Sequence, residues 1–301
     1  MKRGRYKRHD DGFTLVEMLT TLAVIGVLLA LLVPALNQVT KAAANVKQRA
    51  QFHAIGTALE SFRNDYGDYP PSRWNEAVYG KYSASHRLAE ALIGRDGLGF
   101  HPKSQFRSDG LADMDGDGTI DNQVYHANTD YAYETASDNL AARKGPYMEI
   151  ESANAVKLNN INVLTSSLYQ DAYVLVDMYK IVRNNATGKD VGMPILYYKA
   201  NRMKIGNDPD PSPPNTNWIN NTYSLNDSFC DGLGFIEKNW RYDTFSNDLT
   251  YNAELFYDNI QNPNFTSPPR PYRAESFLLH SAGPDGIYGT SDDVFNFDQD
   301  N

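Results

Sequence analysis

Residues 12–36 read GFTLVEMLTTLAVIGVLLALLVPAL, and Glu17 is the single charged residue in the run. About 20 consecutive apolar residues are enough to carry a helix across a bilayer. An ordinary buried core helix would show a polar stripe, and residues 23–33 show none. Residues 13–36 are therefore expected to form a transmembrane helix. Ahead of them stands MKRGRYKRHDDG, with Lys2, Arg3, Arg5, Lys7 and Arg8 set against Asp10 and Asp11. Basic residues before an apolar span keep that end in the cytoplasm, so the rest of the chain is expected to cross. A secretory signal peptide has a shorter apolar core followed by a small-residue cleavage site. Ala42-Ala43-Ala44 offers such a site, so cleavage there stays open as an alternative.

Glu17 is costly inside an apolar span, and no Lys or Arg lies within the span to neutralise it. One way to relieve that cost is snorkelling to the headgroup region, four residues away. Pro34 removes a helical hydrogen bond and predicts a kink or the end of the helix. A helical pattern nevertheless resumes, since Phe52, Ile55, Leu59 and Phe62 recur at spacings of three and four. Residues 37–67 are expected to form an amphipathic second half of one long helix. Gly67 and the prolines at 70 and 71 should end it.

The word Gly12-Phe13-Thr14-Leu15-Val16-Glu17, behind a basic leader and ahead of an apolar run, resembles the processing signal of type IV prepilins and type II secretion pseudopilins. The resemblance implies cleavage of a leader, residues 1–12, between Gly12 and Phe13 by prepilin peptidase, with methylation of the new N-terminus. It also implies that Glu17 pairs with the Phe13 amine of an adjacent subunit during assembly. The body, residues 68–301, resembles the major pseudopilin of type II secretion at residues 192–201 and 276–294, and the stretch between is weakly similar. The chain is longer than typical members, which implies large insertions.

After Pro71, Tyr, Asn, Asp, Gly and Pro become frequent. Residues 74–95 are expected to hold one more helix, with Leu88, Ala91 and Leu92 inward. Residues 96–130 read as a long loop, as do 202–222 with their four prolines. YVLVDMYKIVR at 173–183, ILYYKAN at 195–201 and SFLLH at 276–280 read as strands. The expected fold class is α+β: a long N-terminal helix packed on a small antiparallel sheet with long loops, a pilin-like arrangement. No internal repeat is visible.

Two acidic loops are candidate calcium sites. Asp113-Met114-Asp115-Gly116-Asp117-Gly118-Thr119-Ile120-Asp121 matches the opening of an EF-hand loop, in which carboxylates at alternate positions converge on one cation. Asp113, Asp115, Asp117 and Asp121 are the candidate side-chain ligands, and Thr119 offers its carbonyl. Val124 stands where the bidentate glutamate of an EF-hand would be, so the loop is a truncated version. The second loop runs from Ser281 to Asp293. Its resemblance to the calcium loop of major pseudopilins implies Asp285, Asp292 and Asp293 as ligands, with Ser281 as a further candidate.

Other functions find little support. The net charge of −9 argues against a nucleic-acid partner. There is no HExxH, no GxSxG and no phosphate-binding glycine loop, so no enzyme is expected. The lone cysteine, Cys230, cannot form an internal disulfide. The expectation is a structural subunit of a type II secretion pseudopilus in the bacterial inner membrane, with its body outside the cytoplasm. Its expected partners are prepilin peptidase, an inner-membrane assembly platform, and other copies or pilin-like subunits. The alternatives are a surface type IV pilin and a membrane-tethered periplasmic binding module or enzyme.

Overall fold

The structure is a computed structural model that describes residues 14–73, 76–161, 169, 171–203, 256 and 258–297. Gly12, Phe13, Cys230 and residues 204–222 of the proline-bearing loop lie outside them. The chain divides into two compact units, residues 1–44 and 45–301.

Helix α1 spans Leu15–Tyr66 and continues through Pro34. Leu and Ala dominate the turns around that proline, and their high helix propensity sustains the helix across one lost hydrogen bond. It ends at Gly67, which takes a left-handed φ of 83° and donates its N–H to the Arg63 carbonyl at 2.7 Å. In the first unit the apolar side chains of α1 are exposed; Leu22 is 66% and Leu31 70% exposed. In the second unit the helix is amphipathic, and Phe52, Ile55, Leu59 and Phe62 are all buried. Each such side chain contributes roughly 2 kcal/mol by leaving water.

The expected helix at 74–95 is two helices, α2 (Glu76–Tyr79) and α3 (Ala84–Ile93). The break falls at Gly80, whose φ is 63° and where a Cβ would lie 2.2 Å from Ser108 Oγ. Every residue of α3 is buried, Leu88, Ala91 and Leu92 among them. Among its charged members, Arg87 reaches the carbonyls of Ser72 and Arg73. Within the expected loop at 96–130 lies a short antiparallel hairpin, β1 (Leu111–Ala112) and β2 (Asn122–Gln123). Helix α4 (Ala136–Ala142) follows.

The strand expected at 173–183 is interrupted. Strand β3 (Ala155–Lys157) pairs with β4 (Tyr173–Leu175), and β5 (Val182–Arg183) pairs with β6 (Asp190–Val191). Between β4 and β5 the Asp177 side chain turns into the core and Lys180 adopts a φ of 57°. Alternation of apolar residues alone does not reveal that break. Strand β7 (Leu196–Lys199) follows as expected. After β8 (Gln261–Thr266) and β9 (Pro269–Pro271), β10 (Phe277–Ser281) forms the centre of a three-stranded antiparallel sheet. Its neighbours are β7, with Leu278 opposite Tyr198, and β11 (Val294–Phe295), with His280 opposite Phe295. The third strand is thus 294–295 and not 173–183. One face of this sheet packs Tyr197, Phe277 and Leu279 against Phe52, Ile55 and Leu59 of α1. The other face carries Leu196, Tyr198 and Leu278 into a second core with Phe256, Ile260 and Tyr288.

Candidate functional site

The start of α1 is built by a reciprocal cap. Thr14 donates its backbone N–H and its hydroxyl to Glu17 Oε2, at 2.9 and 2.7 Å, and the Glu17 N–H points back to Thr14 Oγ1 at 3.3 Å. A Thr-x-x-Glu capping box satisfies two N-terminal donors at once. Glu17 therefore has a partner inside its own chain, a partner that a search for cations in the span overlooks. The signal is present in the sequence as Thr14-Leu15-Val16-Glu17. From Leu15 onward the helix is long and apolar enough to cross a membrane, and none of its apolar window is buried within the protein. That separates it from the core helix of a soluble domain.

The tip of the β1–β2 hairpin gathers the first acidic loop. Asp113, Asp115 and Asp117 each present a carboxylate oxygen within 4.8 Å of the others. The backbone organises them: Asp113 accepts N–H bonds from Gly116 and Gly118, at 2.6 and 3.0 Å. Both glycines have left-handed φ values, 81° and 91°, which the tight turn requires. Thr119 donates its hydroxyl and N–H to Asp117 Oδ1, and these bonds lower the Asp117 pKa. Asp121 is exposed and outside the trio. Three carboxylate oxygens, on the half-buried Asp113 and the exposed Asp115 and Asp117, form a hard donor set that fits calcium and suits a thiophilic metal poorly.

The second acidic loop is arranged differently. Asp285 and Asp292 are adjacent, the Asp285 N–H donating to Asp292 Oδ2 at 3.1 Å. Burial, with the Asp292 carboxylate close by, raises the Asp285 pKa. Asp293 points the other way, into the core, where its Oδ2 meets His280 Nε2 and the Gly289 N–H, both at 2.7 Å. Ser281 donates to Asp177 Oδ2 at 2.8 Å. Among the described residues, three-carboxylate convergence is confined to the hairpin tip. The donor set Asp285, Asp292 and Asp293 does not fit a single ion as it stands, because a histidine holds one member.

Asp177 is a buried group that strand patterning missed. Its Oδ1 accepts the N–H of Tyr179 and of Met193, at 3.2 and 3.1 Å, and its Oδ2 accepts the Ser281 hydroxyl. Burial still raises its pKa to about 6. Alongside, Gln48 Oε1 accepts the Met178 N–H at 2.9 Å and Gln51 Nε2 donates to the Val176 carbonyl at 2.9 Å. Asn45 accepts the Tyr179 hydroxyl at 2.7 Å. One polar face of α1, over two turns, thus reads the broken strand directly.

Comparison with curated proteins and with solved structures finds no match. Residues 7–33 match a family model described as the prokaryotic N-terminal methylation motif. That motif is the signature of type IV prepilin-like proteins, and the α+β arrangement of one long apolar helix with small antiparallel sheets is consistent with a pilin-like fold. The N-terminus of this chain thus carries the signature of type IV prepilin-like proteins, followed by a helix that leaves its apolar surface open.

Proposed function

We propose that the chain is a structural, non-catalytic subunit of a type II secretion pseudopilus. It is trimmed between Gly12 and Phe13 by prepilin peptidase and polymerised from the inner membrane with its body outside the cytoplasm. The observation that carries this reading is the methylation motif at residues 7–33, leading directly into an apolar helix with no internal packing. The choice of a secretion pseudopilus over a surface pilus rests on residues 192–201 and 276–294. These two segments resemble pseudopilins, and they contain the strands β7 and β10 that pair in the three-stranded sheet.

Trimming at Gly12 leaves the Thr14 N–H in place, so the capping box survives processing. It also creates an amine at Phe13, close to the Glu17 carboxylate of an adjacent copy once helices stack. Glu17 then exchanges a hydroxyl and an amide for a full opposite charge, which favours the assembled state. Calcium is the proposed ion at the hairpin tip, held by Asp113, Asp115 and Asp117 with the Thr119 carbonyl and Asp121 completing the shell. The decisive experiment is electron microscopy of filaments sheared from cells expressing the chain, with the subunits identified by mass spectrometry. Filaments that contain it support the reading; a chain that stays in the membrane as an isolated, ligand-binding protein overturns it.

A further inference from the structure

A second polar cluster lies behind the acidic hairpin, where the chain from Phe100 to Arg143 folds against the end of α3. His101 and His126 are both buried, and the Nε2 atoms of the two rings lie 3.6 and 3.2 Å from Glu134 Oε2. Asn139 of α4 joins them. Its Nδ2 is 2.6 Å from Glu134 Oε2, 2.9 Å from the Val124 carbonyl and 3.1 Å from His126 Nε2. Arg143 settles which way this amide points, because its Nε and Nη2 donate to Asn139 Oδ1 at 3.1 and 2.6 Å.

The hydrogens can then be counted. An amide nitrogen has two. The Val124 carbonyl and the Glu134 carboxylate, both acceptors, take them. His126 Nδ1 lies 3.0 Å from the Thr129 carbonyl, another acceptor, so Nδ1 carries a hydrogen. What remains is His126 Nε2 facing Glu134 Oε2 at 3.2 Å. With a neutral ring and an ionised carboxylate, no hydrogen is left to fill that gap, and the two facing lone pairs repel. His101 does not change the count. Its Nδ1 accepts the Lys103 N–H at 3.2 Å, so its own ring hydrogen sits on Nε2, directed at Glu134. Burial lowers the His101 pKa.

The other charged groups around the cluster are engaged elsewhere. Arg143 Nη1 is 2.7 Å from both carboxylate oxygens of Asp96, and its guanidinium lies over Tyr125. Glu90 of α3 accepts the Tyr125 and Ser104 hydroxyls, at 2.9 and 2.5 Å. Lys103 Nζ donates to the Met114 carbonyl. Asp130 accepts the Ala136 N–H. On the outer side, the rings of Tyr131 and Tyr133 meet His126 edge-on.

We propose that a proton is shared between His126 Nε2 and Glu134 Oε2, and that this proton latches the turn at 126–129 to the stretch 134–139, holding the segment 111–143 closed on itself. Its loss in alkaline solution then loosens the segment. The apolar support beneath the hairpin is small, with Ala112, Met114 and Val124 as its buried members. A two-stranded hairpin is marginal by itself, so the polar latch decides whether it stays closed. Because Asp113, Asp115 and Asp117 ride on this segment, the same proton sets how well the acidic tip is ordered.

The test is amide hydrogen exchange on the full chain in detergent, from about pH 6 to about pH 9, corrected for the intrinsic pH dependence of exchange. Exchange across 122–143 is expected to accelerate at least about tenfold, since each pH unit past a one-proton transition weakens the closed state by up to that factor. Glu134→Gln removes the ionisable carboxylate and His126→Gln the ionisable ring, so both should remove the acceleration. His101→Gln should leave it in place. Selective ¹⁵N-histidine NMR of the native chain provides an independent readout, with both His126 nitrogens protonated near pH 6 or the Glu134 carboxyl itself carrying the proton. Flat exchange in the native chain, an acceleration that survives in both glutamine variants, or a singly protonated His126 beside an ionised Glu134 would each overturn the proposal.

Discussion

Asp177 shows how one side chain governs a stretch of backbone. Three hydrogen bonds reach its carboxylate, yet its pKa rises to about 6 because it is buried. Three donors therefore do not fully replace the water it lost. The sign of the pH dependence follows. Below about pH 4 the group is protonated in both folded and unfolded chains. Between about pH 4 and pH 6 the unfolded chain ionises first while the folded chain keeps its proton, so stability falls as pH rises and stays lower above pH 6. Asp177→Asn keeps an oxygen for the two N–H donors and cannot ionise. It should stabilise the chain at pH 7 by about 1–3 kcal/mol and flatten the decline between pH 4 and pH 6, as measured by chemical denaturation in detergent. Glu17 belongs to the same scale. Glu17→Ala should leave insertion and trimming intact and reduce filament yield, read by comparing processed subunit with sheared filament; normal yield would remove Glu17 from the assembly step. Gly192 adds a steric limit, since a Cβ there would lie 2.1 Å from the Asp177 carbonyl oxygen.

Among the elements, the second half of α1 and the hairpin tip are held by opposite means. Phe52, Ile55 and Leu59 pack on the sheet through Tyr197, Phe277 and Leu279. Ile55 is fully buried, so Ile55→Ala should cost roughly 2–5 kcal/mol, visible as a lower denaturation midpoint. The hairpin tip has almost no core, and its carboxylates repel one another unless a cation intervenes. Calcium at 100 times its dissociation constant adds about 2.7 kcal/mol to a folded state that alone binds it. Thermal melting of the full chain should therefore shift upward with calcium and much less with magnesium, which prefers a small octahedral shell and keeps its waters. Asp115→Asn combined with Asp117→Asn should abolish that shift. Asp292→Asn should abolish little of it, since Asp285, Asp292 and Asp293 do not converge. The opposite ranking would place the ion in the C-terminal loop.

For the molecule as a whole, maturation is the event that the N-terminal signature demands. Intact-mass measurement of the membrane form should give a chain that begins at Phe13 with one added methyl group, and Gly12→Leu should retain the leader. A chain beginning near Asn45 would show instead that ordinary signal peptidase acts after Ala44. The two units meet different requirements. Residues 15–36 of the first unit leave their apolar side chains exposed, whereas residues 45–301 contain all the buried core residues found among those described.

What the sequence determined by itself is whatever depends on local chemistry and period. The apolar run, the helix end at Gly67, the inward face of Leu88, Ala91 and Leu92, the strands β7 and β10, and the Asp113–Asp117 turn all follow from neighbours a few positions apart. Tertiary structure alone decided the features that join distant positions. Asp177 breaks an apparently continuous strand because Ser281 and Met193 are there to hold its carboxylate. Val294–Phe295 becomes the third strand because β10 offers an open edge. Asp293 turns from its acidic neighbours toward His280, and Glu134 lies between His101 and His126. The carboxylates among them, out of reach of bulk water, had to find partners, and burial is a property of the packed chain that residue spacing does not encode.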